Sequence, residues 1–379
     1  QQGSEEARAA AALALQAFHG EAAAAAEAKD AAQAELDLFL QGPLADFELL
    51  RATTAKAAEA AAEAAAEARP PADPAEWQAR LQAALAADGA QTTLKAAAPW
   101  LSSVGKAPAT ARVRLVAFSW TGNRGGAGSA HNFMKWPAWL AEGCAPGTWE
   151  VCQVNYPGRG ARMKEPNVLD AQAMAASISE ALVKAGRIPT VFFGFSFGAV
   201  LAYEVAALCS GRGDPPLGLV VASAEHPAWP GRSAGSGPSG GATKDLDGAA
   251  FERVLREKGG TDVILSNPDM KKMYVPVIRA DMVMEEAYGA APPQHEPLGC
   301  PVMAFRGEWC PQVSREDTDP WLWLTACWGE GLPTWVEELT SGLSPTDSAP
   351  WLSDWYLCQG EGSAKAMAHR IAEVFGGKS

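Results

Sequence analysis

Residues Thr190–Gly198 read TVFFGFSFG, and this stretch decides the fold of the chain. An apolar, β-favouring run leads into the pattern Gly-x-Ser-x-Gly centred on Ser196, and residues 199–206 (AVLAYEVA) then favour a helix. Strand, sharp turn and helix together form the context of a nucleophile elbow, which holds a serine hydroxyl at a helix N-terminus. We therefore predict that Ser196 is a nucleophile. The simpler alternative is a tight turn with a buried serine.

Short β-favouring runs alternate with helical stretches on both sides of this elbow. The spacing between the runs suits crossover helices and therefore a mostly parallel sheet with helices on both faces. The sequence predicts an α/β domain over residues 111–379. The predicted strands are Val113–Phe118, Trp149–Val154, Thr190–Phe193, Leu217–Ala222 and Val302–Phe305.

The N-terminal arm, residues 1–110, has a different composition. Residues 4–68 are rich in alanine with interspersed Glu and Lys, which favours helix, and a further helix is expected over 75–87. We predict that 1–110 is a helical extension and linker outside the α/β domain. Because the chain begins with Gln1, we expect it to be a processed or truncated product.

Composition excludes several classes of function. The formal net charge of −13 argues against binding to nucleic acid, and no apolar run is long enough to span a membrane. The seven cysteines are odd in number and form no CxxC pair, which argues against a disulfide framework or a zinc site. We expect reduced thiols in the cytoplasm or an organelle interior, and neither a metal nor a cofactor.

Five ordered motifs of residues 112–375 resemble the type II thioesterases of polyketide and nonribosomal-peptide assembly lines. In chain order they are the strand Leu115–Phe118 with the glycine-rich loop Thr121–Gly128, Phe133 with Trp136, the turn Pro157–Gly160, the elbow, and Gly259-Gly260 followed by Val275–Asp281. The resemblance implies an α/β-hydrolase fold with a lid over about 231–288. It also implies a site for acyl thioesters of a carrier protein or coenzyme A. The oxyanion and substrate-binding residues that it implies are Gly122, His131, Phe197, Arg279 and Asp281.

The resemblance does not extend to the two residues that assist the serine in catalysis. A serine nucleophile needs a histidine base and a carboxylate that orients it. The family's aspartate position falls here on Trp309 or Cys310, and its histidine position falls on Leu343 or Asp354. No histidine lies between His295 and His369.

Two other histidines are candidates for a relocated base. His226 follows a predicted strand and has Glu225 beside it, so this pair could supply base and acid at the sheet edge where catalytic groups gather. His131 lies in the oxyanion-loop region. A histidine at either position also fits a plain packing or hydrogen-bonding role.

Three functions fit these observations. The missing partners favour a thioesterase-like protein with impaired catalysis that serves as an accessory or scaffold subunit, with the arm contacting a protein partner. The elbow favours an active acyl-thioester hydrolase with relocated base and acid. A ligand-binding protein that keeps the acyl pocket without turnover is the third.

Overall fold

The computed structural model describes the greater part of the α/β domain and of the segment leading into it. The described residues are 74–91, 94–106, 108–120, 133–142, 144–145, 147–227, 242–258, 261–290, 295–307, 313, 315–325, 334–339 and 361–376. All of them belong to the unit Ala57–Ser379. The predicted alanine-rich helices over 4–68 and the glycine-rich segment 231–241 lie outside the described residues.

A seven-stranded sheet in the order β2-β5-β4-β6-β7-β8-β9 forms the centre of the domain. Its strands are parallel except for β2, which pairs with β5 in the antiparallel sense and forms one edge. The short strands β1 and β3 pair separately. The strands are β1 Ala90–Gln91, β2 Leu101–Ser103, β3 Thr110–Ala111, β4 Val113–Phe118, β5 Trp149–Val154, β6 Thr190–Phe195, β7 Gly218–Ala222, β8 Val302–Gly307 and β9 Trp335–Leu339.

Helices cover both faces of the sheet. Those of the described chain are α1 Pro74–Ala86, α2 Trp136–Ala141, α3 Ala171–Lys184, α4 Phe197–Gly211, α5 Gly248–Lys258, α6 Asp262–Ser266, α7 Pro268–Ala290, α8 Arg315–Thr318 and α9 Glu361–Phe375. Strands β4, β5 and β7 are buried along their whole length, as expected for strands covered on both sides. The predicted α/β-hydrolase fold is confirmed.

Alternate residues of each strand point into two separate cores. Val116 and Phe192 pack with helices α3 and α4 on one face of the sheet. Leu115 and Phe193 pack with α1, α2 and α9 on the other. This alternation follows from the two-residue period of a strand. Within the described part of the chain, no helix is long and apolar enough to cross a membrane.

Helix α1, which lies within the predicted N-terminal extension, packs on the hydrolase sheet. Trp77 is buried, contacts Phe375 edge-on at 6.3 Å between ring centroids, and donates its indole N–H to the Leu217 carbonyl at 2.8 Å. Arg80 of the same helix donates to the Pro215 carbonyl at 2.6 Å. The alanine-rich composition of α1 gives no sign of this contact, in which Trp77, Leu81 and Ala84 are all buried.

Substitution of Trp77 tests whether α1 belongs to the folded domain. Trp77→Ala is expected to lower the free energy of unfolding by about 3 kcal/mol, because it leaves a cavity and removes a buried hydrogen bond. Denaturant unfolding measures the change. Gln82→Ala on the exposed face of α1 is the control and should change stability by less than about 0.5 kcal/mol. Equal stability of the two variants would show that α1 is dispensable.

The described lid segments form a small core of their own. Helices α5, α6 and α7 bury Phe251, Leu255, Ile264 and Met282 against one another. Arg279 of α7 stacks on Phe251 at 4.1 Å from its ring centroid and donates to the carbonyl oxygens of residues 243 and 246. The lid therefore folds around α7, which also reaches the elbow.

Candidate active site

Ser196 stands at the turn between β6 and α4, as the motif predicts. Its backbone has φ 54° and ψ −132°, a strained conformation for a residue with a side chain. Two backbone hydrogen bonds hold the turn: the Ser196 N–H donates to the Ala222 carbonyl, and the Ala199 N–H donates to the Ser196 carbonyl, each at 2.9 Å. The elbow geometry is therefore present in the folded chain.

The two glycines of the motif allow the close approach that the turn requires. A Cβ atom on Gly194 would lie 2.6 Å from the Ala199 nitrogen, and one on Gly198 would lie 2.5 Å from the Ser119 carbonyl oxygen. Both contacts involve backbone, which cannot move aside. Helix α4 can therefore start directly against the end of strand β4.

The Gly198 contact gives a stability prediction. Gly198→Ala is expected to lower the free energy of unfolding by about 3 kcal/mol, because the added methyl group overlaps the end of β4. Gly211→Ala, at the other end of α4, is the matched control. A Cβ there meets nothing within 4 Å, so this exchange should stabilise the protein by roughly 0.5–1 kcal/mol. Thermal unfolding of both variants measures the difference in their stability. The two variants would be equally stable if the elbow were loosely packed.

The start of α4 suits stabilisation of an oxyanion. The helix is 15 residues long, and its first N–H groups have no partner within the helix. The aligned peptide dipoles favour negative charge at this end. Phe197, a predicted substrate-side residue, is buried here and contacts the Tyr288 ring edge-on at 6.1 Å. In nucleophile elbows the backbone N–H of the residue after the serine donates to the oxyanion, and this role of Phe197 stays a prediction.

A small pocket opens beside the elbow. The free space between its side chains is small, with room for about one water molecule. The residues that line it come from the end of β4, the turn after β5, helix α4 and lid helix α7: Ser119, Trp120, Tyr156, Phe197, Leu201, Asp281 and Met284.

A buried ion pair closes the lid side of this pocket. The two terminal guanidinium nitrogens of Arg159, Nη1 and Nη2, donate to Asp281 at 2.6 and 2.5 Å, and the two residues are 5% and 4% exposed. Such bidentate pairs are among the stronger hydrogen-bonded contacts in proteins. The pair joins the Pro157–Gly160 turn to α7, so two of the motifs behind the family resemblance meet in one contact.

Tyr156 connects this ion pair to the end of β4. The Arg159 guanidinium lies 5.4 Å from the centroid of its ring, and its hydroxyl donates to the Ser119 carbonyl at 3.3 Å. Burial raises the pKa of Tyr156 far above its ordinary value. The hydroxyl therefore keeps its proton, and Tyr156 stays a donor that fixes the strand leading into the oxyanion loop.

A second buried polar cluster spans the elbow helix and the lid. Glu204 of α4 is 2% exposed and accepts hydrogen bonds from the Tyr288 hydroxyl at 2.6 Å and from His295 Nε2 at 2.9 Å. The Tyr203 ring contacts the His295 ring edge-on at 5.6 Å. Sequence reasoning missed this cluster, because nothing in the local sequence marks Glu204 as buried.

The predicted relocated base, His226, lies at the expected edge of the sheet. It follows β7, the neighbour of the elbow strand, and is buried with its ring 6.2 Å from that of Trp321. Its backbone N–H donates to the Asp317 carbonyl at 3.1 Å. The Ser196 hydroxyl makes no capping bond and no hydrogen bond to another described side chain. The catalytic roles of His226 and Glu225 stay predictions.

The remaining predicted site residues divide into two groups. Arg279 is held by lid carbonyl groups and Asp281 by Arg159, so the described contacts give both a role in positioning α7, and direct substrate binding by them stays a prediction. The others lie outside the described residues, and nothing tests their assignment. These are Gly122, His131, Trp309, Cys310, Leu343 and Asp354.

Two serines near the elbow were missed by sequence reasoning. Ser223 has φ 46°. Within the described part of the chain, Ser223 and Ser196 are the two non-glycine residues with positive φ, and they lie at the ends of neighbouring strands. The hydroxyls of Ser223 and Ser119 are buried and find no hydrogen-bond partner within the described chain. Strained and unpaired groups collect at functional sites. Nothing in the local sequence signals either feature.

Comparison with known sequences points to one family. The family model described as the thioesterase domain matches residues 124–330. The chain is 31% identical over 227 residues to the thioesterase PikA5 of Streptomyces venezuelae, which covers 59% of this chain and 73% of that protein. It is 34% identical over 239 residues to the AMB antimetabolite synthetase AmbE of Pseudomonas aeruginosa, covering 60% of this chain. The chain spans only 10% of the length of AmbE and 57% of a Streptomyces griseus relative.

Comparison with solved structures agrees. The RedJ thioesterase from the prodiginine biosynthetic pathway of Streptomyces coelicolor is 26% identical, with a TM-score of 0.54 over 72% of this chain and 94% of RedJ. The type II thioesterase BorB from the borrelidin biosynthetic cluster, at 22% identity, has the same TM-score over 75% of this chain and shows the fold alone.

Proposed function

Because the chain belongs to the thioesterase domain family, we propose that its α/β-hydrolase domain releases acyl groups held as thioesters on carrier proteins, with Ser196 as nucleophile. The observation that carries this proposal is the strained backbone of Ser196 at the start of α4. A positive φ at a serine has a cost, and such strain persists where the surrounding structure enforces it, commonly at functional sites. Relatives named as thioesterases of biosynthetic pathways support the carrier-protein substrate.

The proposed reaction has two steps. The Ser196 oxygen attacks the thioester carbonyl, the C–S bond breaks, and the thiol leaves with the proton taken from the serine. Water then attacks the acyl-serine ester, which releases a carboxylic acid and restores the hydroxyl. The N-terminus of α4 and the Phe197 N–H stabilise the oxyanion that forms in each step.

The proposed base is His226, with Glu225 as the orienting carboxylate. Its support is its position, since β6 and β7 are paired and His226 follows β7 at the carboxyl edge where Ser196 stands. Catalytic hydrogen bonds are often long in the absence of substrate and tighten when it binds. The roles of His226 as base and of Glu225 as acid are therefore proposed from their position.

A second candidate is a family member with impaired catalysis that serves as an accessory subunit. The specific observation in its favour is the sequence between His295 and His369, which holds no histidine where the family places its base. Loss of one member of a catalytic triad typically costs about 10⁴–10⁶-fold in turnover. In this candidate the N-terminal arm contacts the partner complex, and the pocket binds acyl groups without hydrolysing them rapidly.

One experiment separates the two candidates. The full chain is incubated with an acyl-N-acetylcysteamine thioester or an acyl-carrier protein, and free thiol is measured for the wild type and for Ser196→Ala. A rate that depends on Ser196 supports the hydrolase. A wild-type rate equal to that of the variant supports impaired catalysis.

A further inference from the structure

The turn that carries His226 is held in place by another part of the chain. The backbone N–H of Ser223 donates to the Phe305 carbonyl at 2.9 Å, and that of His226 donates to the Asp317 carbonyl at 3.1 Å. Phe305 belongs to strand β8 and Asp317 to helix α8. The position of this turn therefore depends on β8 and α8 as well as on its own sequence.

Trp321 supports the same turn with its side chain. It lies in the short 3₁₀ helix Asp319–Leu324, is fully buried, and donates its indole N–H to the Ala224 carbonyl at 2.8 Å. Its ring contacts the His226 ring edge-on, with 6.2 Å between the two centroids. Edge-on contact is a preferred arrangement of aromatic rings, so the indole restricts the orientations that the imidazole can adopt.

Trp321 also contacts the helix that follows the nucleophile. Its ring meets the ring of Tyr203, a buried residue of α4, edge-on at 6.1 Å between centroids. One side chain therefore touches both the elbow helix that begins after Ser196 and the turn that carries His226. A large and fixed group in this place sets the spacing between these two elements.

We propose that Trp321 is a positioning residue for the hydrolysis, and that it holds the His226 imidazole in the orientation that accepts the Ser196 proton. The inference rests on the proposed function, in which His226 is the base. A general base works only within hydrogen-bond reach of the proton that it removes, and a misplacement of about 1 Å can cost on the order of 10²-fold in rate. Trp321 acts through His226 and needs no contact with the substrate.

The other end of the same strand supplies a matched control. Trp77 is also buried and donates its indole N–H to the Leu217 carbonyl, again at 2.8 Å. Leu217 directly precedes β7, whereas Ala224 follows it at the carboxyl edge where Ser196 stands. Exchange of either tryptophan for phenylalanine removes one buried hydrogen bond beside β7, but of the two it is Trp321 that contacts the proposed base.

Turnover of an acyl-N-acetylcysteamine thioester by the full chain tests the proposal. Trp321→Phe should lower kcat by about 10- to 100-fold and change KM by less than about twofold, because the base is misplaced while the nucleophile remains. Trp77→Phe should keep the wild-type kcat. Both variants are assayed at a temperature where circular dichroism shows that they are folded.

A double-mutant cycle separates positioning of the base from a general loss of packing. In the His226→Gln background, Trp321→Phe should lower kcat by less than about twofold, because the group that it positions is already absent. An equal loss in the two backgrounds, or an unchanged kcat in Trp321→Phe alone, overturns the inference. Trp321→Tyr keeps a larger ring than phenylalanine and repeats the cycle if Trp321→Phe does not fold.

The outcomes distinguish this inference from the proposed function. If hydrolysis depends on Ser196 but His226→Gln is fully active, the base lies elsewhere and the role of Trp321 is wrong, while the hydrolase function is kept. If His226→Gln is impaired and the cycle is additive, His226 remains the base and only the role of Trp321 is wrong. A wild-type rate equal to that of Ser196→Ala overturns both.

Discussion

Asp281→Ala is expected to lower the free energy of unfolding by about 3–5 kcal/mol, because it leaves the Arg159 guanidinium buried without its counter-charge. Arg159 is 5% exposed and places two of its hydrogen bonds on this one carboxylate. Arg159 also contacts the Tyr156 ring and the Pro157 carbonyl. Urea unfolding, followed by tryptophan fluorescence, measures the change.

A surface ion pair provides the control. The side chains of Arg370 and Glu373 are 42% and 43% exposed and lie one turn apart on α9. Glu373→Ala should cost less than about 1 kcal/mol, since water and salt screen an exposed pair. Arg159→Met combined with Asp281→Leu should recover much of the stability lost in the single variant, because no charge is then left unpaired. A loss below 1 kcal/mol for Asp281→Ala would contradict the prediction.

Local sequence was enough to predict the elbow and five of the seven strands of the central sheet. These five strands, β4 to β8, are mostly apolar, and they occupy the predicted ranges to within two residues. The elbow depends on Gly194, Ser196 and Gly198, which lie within five residues of each other. The steric reason for Gly194 is equally local, because its neighbour is Ala199, whereas Gly198 is required by the end of strand β4.

The contacts that shape the pocket could not be predicted in the same way. Arg159 and Asp281 are 122 residues apart, and their pairing depends on where the lid helix α7 packs. Trp77 packs in a core that also contains Phe375, which lies near the other end of the described chain. Each of these features is a property of the assembled fold rather than of a local pattern.

Ser196→Ala is expected to lower kcat/KM for a short acyl thioester by about 10⁴-fold or more. The exchange removes the only atom that can form the acyl-enzyme bond and leaves the oxyanion donors and the pocket in place. What remains should be the modest acceleration that binding and oxyanion stabilisation give to attack by water. Release of thiol from an acyl-N-acetylcysteamine thioester measures the rate, and mass spectrometry of the wild type should detect an acyl group on Ser196.

The companion variants determine which residues assist the serine. His226→Gln should lose nearly as much activity as Ser196→Ala, and the double variant little more than either, because a nucleophile and its base act as a unit. Ser177→Ala removes an exposed hydroxyl of helix α3 that donates to the Ala173 carbonyl, and it should keep the wild-type rate. If His226→Gln is fully active while Ser196→Ala is not, Ser196 is the nucleophile and the base lies elsewhere.

If the wild type is no faster than Ser196→Ala, the unassisted hydroxyl remains protonated at neutral pH and attacks poorly. The histidine-free interval between His295 and His369 would then explain a domain that binds acyl groups without releasing them.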